Sequence, residues 1–259
     1  MKPRIVAVAN QKGGVGKTTT VVNLGATLAA YEQRTVIVDL DPQSNCTSGL
    51  GVEGVDETLG TSYGLIINGS DPNAMVRPTG FPHLSIIPAT PNLAGAEVEL
   101  VGMVGREFRV RDGLRQIEGF RFLLMDCPPA LGQLTINALT AADGLLIPIQ
   151  CEYFALEGVR ELMKTIEQVR RFLNPGLEID GVVLTMFDER TNLARQVAEE
   201  VRGVFGDLVF ETVIPRNVRL AEAPSFGRPI HAYDLRSRGA QAYLHLGREY
   251  LSRMEALHG

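Results

Sequence analysis

The chain has 259 residues, 45% hydrophobic and 21% charged, a balance that lets an α/β domain bury its core without disulfides or structural metal. A net charge of −5 excludes a wholesale basic coat for nucleic acid, so any such contact must be a local patch. Cys46, Cys127 and Cys151 show neither metal-ligand nor disulfide spacing, no apolar run reaches the ~20 residues of a membrane span, and no secretory pattern opens the chain, which reads as cytoplasmic.

The first predicted strand, Ile5–Ala9, is a continuous apolar run. It leads into Gln11-Lys-Gly-Gly-Val-Gly-Lys-Thr18, and a helix is predicted over Thr18–Ala30. A phosphate-binding loop reads G-x-x-x-x-G-K-[ST] in this strand–loop–helix context. Here Gln11 replaces the first glycine, and Lys12 is a second lysine. Gly13, Gly14 and Gly16 permit positive φ, so backbone N–H groups can face phosphate oxygens, and the helix start adds its own unpaired donors. Lys17 is spaced to reach β- and γ-phosphates, and the Thr18 hydroxyl to ligate Mg²⁺.

The second predicted strand, Thr35–Asp39, ends in Val36-Ile-Val-Asp-Leu-Asp-Pro-Gln43. Asp39 and Asp41 thus fall at a strand's carboxyl end, where ligands lie in open α/β sheets. Asp39 reads equally as a partner for loop backbone or as a metal group. Between residues 53 and 115, Gly/Asn/Asp/Pro clusters punctuate short helical pieces around a predicted strand at Leu84–Pro88. Phe120–Asp126 follows, and Asp126 before Pro128-Pro129 has the form of a strand-end aspartate that holds a Mg²⁺ shell.

Downstream, predicted helices at Leu134–Ala141, Leu156–Phe172, Leu193–Phe205 and Ala240–Leu257 alternate with strands at Gly144–Gln150, Gly181–Phe187 and Leu208–Ile214. The alternation predicts an α/β fold with a doubly wound, mostly parallel β-sheet flanked by helices, in a single domain over 1–259. Segment 215–238 carries Arg216, Arg219, Arg228, Arg236 and Arg238 against Glu222 and Asp234, with Arg190 and Arg195 on a nearby stretch. Phosphate contact by arginine without base reading gives non-specific, salt-sensitive DNA binding. On charge alone, a solvated surface with local salt bridges is the competing reading.

Gln11-Lys-Gly-Gly-Val-Gly-Lys-Thr-Thr-Thr20 resembles the deviant Walker A motif of the ParA/MinD ATPases. The resemblance runs from Ile5 to about Tyr243 and includes Gln150-Cys-Glu-Tyr-Phe-Ala-Leu-Glu157 and Asp234-Leu-Arg-Ser-Arg-Gly-Ala240. Pro215-Arg-Asn-Val-Arg-Leu-Ala-Glu-Ala-Pro-Ser225 is similar to the short chromosomal ParA, or Soj, branch. The resemblance implies a P-loop ATPase with ATP and Mg²⁺ as cofactors. It implies nucleotide contacts from Gln11, Lys12, Gly13, Gly14, Val15, Gly16, Lys17, Thr18 and Thr19, with Met186, Pro215, Arg216 and Asn217 bordering the adenine. Lys12, Lys17 and Asp41 are the implied catalytic residues, and Asp41 positions the attacking or Mg²⁺-bound water. Thr18, Asp41 and Asp126 are the implied metal residues.

By the same resemblance, Lys12 reaches the partner's phosphates in a homodimer that sandwiches two ATP. That dimer binds double-stranded DNA non-specifically through arginines matching Arg190 and Arg219, with Arg195, Arg228, Arg236 and Arg238 as further candidates. A ParB-like centromere-binding partner quickens a slow intrinsic hydrolysis, and the protein is nucleoid-associated. With the phosphate loop starting at residue 11, no N-terminal helix-turn-helix domain is expected. A MinD-like membrane switch is disfavoured because the tail Tyr250–Gly259 has no strong basic face. An iron–sulfur carrier is disfavoured because Cys127 and Cys151 sit in no glycine-rich cysteine loop. ParA-like positioning of a plasmid, protein cluster or organelle remains a reading with the same ATP switch.

Overall fold

A computed structural model describes residues 2–55, 60–153 and 155–258; Phe154, part of one stretch carrying the resemblance, lies outside them. The chain runs through β1 (Arg4–Val8), α1 (Lys17–Ala30), β2 (Thr35–Asp39), α2 (Asn45–Gly49), α3 (Pro72–Met75), β3 (Arg77–Pro78), β4 (Leu84–Ile87), α4 (Leu93–Glu99) and α5 (Arg109–Leu114). It continues through β5 (Phe122–Asp126), α6 (Gln133–Ala141), β6 (Gly144–Gln150), α7 (Ala155–Phe172), β7 (Glu178–Thr185), α8 (Asn192–Phe205), α9 (Val218–Glu222), α10 (Ile230–Tyr233) and α11 (Arg238–His258). Among the described residues the strands form one sheet in the order β3-β4-β2-β5-β1-β6-β7, parallel except for β3.

The continuous apolar strands are buried on both faces, as a parallel sheet covered by helices requires. Alternation divides them between two cores. Val6, Val8, Ile37 and Leu124 face α1 and α11, meeting Leu24, Leu28, Leu246 and Tyr250. Ile5, Ala7, Val38 and Leu123 face the opposite layer, meeting Leu139, Leu162, Ile166 and Val201. Gly25 admits α1 onto the sheet: a Cβ there would lie 3.0 Å from Ile37 Cδ1. The register sets Asp39 beside Asp126, so two strand-end carboxylates sit on neighbouring strands at the same edge.

Two predicted elements change. Leu208–Ile214 forms no strand; beside β7 it makes the isolated bridge of Val182 to Val209 and backbone hydrogen bonds from Phe210 N to Val182 O and from Ile214 N to Leu184 O. Its ladder is interrupted because the Glu249 carboxylate of α11 accepts from Glu211 N at 2.7 Å and Thr212 N at 3.0 Å. The short antiparallel β3 was not predicted; it has only two residues, one of them Pro78. β7 begins earlier than expected and stops at Thr185, where Met186 turns to φ 50°.

Candidate active site

The loop between β1 and α1 is pinned by side chains from distant strands. Asn10 Nδ2 donates to Pro148 O at 2.7 Å, and Asn10 Oδ1 accepts from Lys12 N at 3.0 Å. Thr185 Oγ1 donates to the carbonyl of buried Val15 at 2.8 Å. Gly14 and Gly16 take φ of 74° and 86°, a region that side chains disfavour. Gly16 caps α1 without a side-chain hydrogen bond, which leaves the first N–H groups of the helix available to an anion. Gln11, Gly13 and Gly14 are exposed, and Thr18 and Thr19 are half-buried.

Beneath the loop, charge is concentrated and poorly solvated. Lys17 is 7% exposed and its Nζ donates to Lys12 O at 3.1 Å; burial lowers its pKa, against the pull of Asp126. Thr18 Oγ1 donates to Asp126 Oδ2 at 2.7 Å. Asp126 is fully buried, and its Oδ1 has no hydrogen-bond partner among the described residues. Burial, reinforced by the neighbouring Asp39, raises its pKa well above the usual carboxylate range. An orphaned carboxylate oxygen beside a threonine hydroxyl is a hard-oxygen donor set that suits Mg²⁺. Among the described residues no three acidic, histidine or cysteine groups form an all-protein cage.

Asp39 and Asp41 are both buried but differ in how their oxygens are engaged. Asp39 Oδ1 accepts from Asp41 N and Oδ2 from both Thr47 N and Thr47 Oγ1, while burial pushes its pKa up to about 6. Of the two sequence readings, these contacts are those of a partner for loop backbone. Asp41 Oδ1 accepts from Gln43 N at 2.9 Å, leaving Oδ2 without a partner among the described residues.

A cavity of about 330 Å³ opens beside the loop, lined by Gly16, Thr19, Met186, Pro215, Arg216 and Asn217, so the four residues expected at the base do converge. Phe187 N donates to Ile214 O and Arg216 N to Phe187 O, knitting the two segments together. Thr185 and Tyr243 also line it; Tyr243 Oη lies 3.2 Å from Thr20 Oγ1. Sequence reasoning missed both, since neither sits in a local motif.

The larger concavity, about 680 Å³, is a neighbouring groove whose walls include Arg190, Arg216, Arg236, Arg238 and His245. Pro215 and Arg216 belong to both spaces. The structure therefore splits the arginine candidates: Arg190, Arg236 and Arg238 gather, whereas Arg195, Arg219 and Arg228 lie outside the groove lining. Arg190 pairs with Asp188 at 2.7 Å, which pulls that carboxyl down to about 2, and Arg238 pairs with Glu189 at 3.0 Å. Arg219 pairs with Glu222 at 2.8 Å, and Arg195 donates to Asn192 Oδ1. Such exposed pairs contribute at most about 1 kcal/mol, so phosphate can displace them. Lys12 Nζ lies 3.8 Å from Glu152, a residue the sequence did not single out, which also faces Arg216 at 3.7 Å.

A family model described as an AAA domain matches residues 3–179. The chain is 54% identical over 251 residues to the chromosome partitioning protein ParA of Myxococcus xanthus, covering 96% of this chain and 88% of that one. It is 53% identical to the sporulation initiation inhibitor protein Soj of Bacillus subtilis, covering 95% and 97%. A Mycobacterium smegmatis structure named cobyrinic acid a,c-diamide synthase, solved with an ATP analogue and magnesium, matches with 36% identity and a TM-score of 0.84, covering 98% and 96%. By motif, fold and relatives alike, the chain belongs to the ParA/MinD family of P-loop ATPases, within its ParA/Soj branch, and is an enzyme of Mg-ATP hydrolysis.

Proposed function

We propose that this chain is a single-domain, ATP-switched DNA-binding ATPase of chromosome or plasmid partitioning. The observation that carries the reading is the shared wall of the two cavities: Pro215 and Arg216 border both the base pocket and the arginine groove. Nucleotide occupancy and phosphate-backbone binding then act on the same short segment. The name of the Myxococcus relative supports the biological role.

In this reading the N–H groups from Gly13 to Thr19 cradle the phosphates, and Lys17 neutralises the β- and γ-oxygens. Thr18 and Asp126 would hold the Mg²⁺ shell, and the ion would supply positive charge against that developing on the phosphoryl oxygens. Asp41 orients the attacking water through its free Oδ2. Lys12, at the loop's outer rim, leaves Glu152 to contact the nucleotide of a second copy. Two arginine grooves in one ATP-bound dimer add avidity for non-specific DNA and draw the protein to the nucleoid. The chain supplies no evident arginine or glutamine finger, so its intrinsic turnover is slow and a ParB-like partner stimulates it.

Against a membrane switch stands α11, whose Tyr243, Leu246, Tyr250 and Met254 are buried in the core rather than free for lipid. No helix among the described residues is long and apolar enough to cross a membrane. Against an iron–sulfur carrier stand the buried thiols: Cys127 and Cys151 lie within the fold rather than on a surface that a second copy could share.

The test is DNA retention with ATP against ADP, with Lys17→Ala and Asp41→Ala in parallel. Binding should require ATP and weaken with salt; Asp41→Ala should prolong it, and Lys17→Ala should abolish it. Equal DNA binding in both nucleotide states rules the switch out, and robust ATP-dependent liposome binding transfers the protein to the membrane class.

A further inference from the structure

Asp39 is buried at the end of β2, and its oxygens face donors of its own chain. Oδ1 accepts from Asp41 N at 3.1 Å; Oδ2 accepts from Thr47 N at 2.9 Å and Thr47 Oγ1 at 2.6 Å. Thr47 Oγ1 in turn accepts from Ala89 N at 2.9 Å, just beyond β4. Between these anchors the chain closes on itself: Ser44 N donates to Asp41 O at 2.8 Å, with Ser44 held at φ 50°. The 41–47 turn is therefore tied at its start to β2 and at its far end to both β2 and β4.

This engagement separates Asp39 from its neighbours. Asp126 keeps an unpartnered Oδ1, and Asp41 keeps a free Oδ2. Asp39 presents its lone pairs to protein donors, and holding the peptide N–H of Asp41 fixes the direction in which that side chain leaves the backbone. We propose that Asp39 is a positioning residue, acting with the Thr47 hydroxyl to aim Asp41, and that it contributes no oxygen to the Mg²⁺ shell. The proposal rests on the reading of Asp41 as the water-orienting residue.

The test uses the full chain with Asp39→Asn, Thr47→Val, Thr47→Ser, Asp41→Ala and the double variant Asp39→Asn/Asp41→Ala. Steady-state hydrolysis gives kcat and KM; binding of a fluorescent ATP analogue across a Mg²⁺ titration gives nucleotide and metal affinity. Asp39→Asn and Thr47→Val should lower kcat by about ten- to hundredfold, the cost of a misplaced reacting group, with nucleotide affinity and half-saturating Mg²⁺ within about twofold. Thr47→Ser keeps the hydroxyl and should restore the rate. The double variant should be no slower than Asp41→Ala alone, because a positioning residue has nothing left to position.

A roughly tenfold rise in half-saturating Mg²⁺ on Asp39→Asn would make Asp39 a metal-shell group and overturn the proposal. So would an unchanged kcat in Asp39→Asn and Thr47→Val while Asp41→Ala is inactive, an outcome that leaves the Asp41 reading intact. Wild-type turnover by Asp41→Ala removes both readings together. If Asp39→Asn does not fold, the contrast between Thr47→Val and Thr47→Ser decides alone.

Discussion

Asp126 illustrates a residue kept at a cost to the fold. A fully buried carboxylate with one unpartnered oxygen, beside a second buried acid, raises the free energy of the nucleotide-free protein. Asp126→Asn retains an acceptor for Thr18 but removes the charge. It should therefore stabilise the nucleotide-free chain by about 1–3 kcal/mol in thermal or urea unfolding while abolishing Mg-ATP hydrolysis. His231 gives a contrasting case remote from catalysis. Its Nδ1 has no hydrogen-bond partner among the described residues, and burial lowers its pKa below the ordinary histidine value. Below about pH 6.5 the unfolded chain binds the extra proton first, so stability is present above that pH and lost as pH falls through the folded value. His231→Gln should reduce the drop in melting temperature on acidification from about pH 7 to about pH 5.

Among the elements, α11 does more than close the sheet. It packs on α1 so tightly that a Cβ on Gly247 would lie 2.3 Å from Thr27 Cγ2. It carries Tyr243 into the cavity beside the phosphate loop and Glu249 onto the 211–212 backbone. Gly247→Val should destabilise the protein by about 1–3 kcal/mol through overpacking, and raise KM for ATP by displacing Tyr243. A parallel measurement of unfolding and ATP kinetics checks both. The strand predicted at Leu208–Ile214 fails here for a physical reason. Its apolar pattern is that of a buried strand, but two of its N–H groups are taken by a carboxylate on α11, contributed 37 and 38 residues downstream.

For the whole molecule, three features come together beyond the carboxyl ends of the strands. The phosphate loop, the smaller cavity beside it and the arginine groove lie side by side, joined by the 214–217 segment. Arg236 lines the groove, and its side chain makes no ion pair among the described residues. Arg236→Ala should weaken ATP-dependent DNA binding and lower the slope of log affinity against log salt by about 1, the signature of one lost phosphate contact. Arg195→Ala, outside the groove, should change that slope less.

The sequence by itself determined the strand cores, the phosphate loop and the acids at the strand ends. Each depends on neighbours within a few residues: an apolar run buried on both faces, glycines between a strand and a helix, a carboxylate two residues past another. Only the tertiary structure decided which donors each acid meets. Thr18 meets Asp126 across 108 positions, Thr185 meets Val15 across 170, and the arginines divide between groove and open surface. Asp39 was ambiguous in sequence for the same reason: a strand-end aspartate looks alike whether its oxygens face a metal or a backbone. Thr47 engages Asp39 Oδ2, and Ala89 N in turn donates to the Thr47 hydroxyl, an arrangement that exists only with β2 and β4 paired.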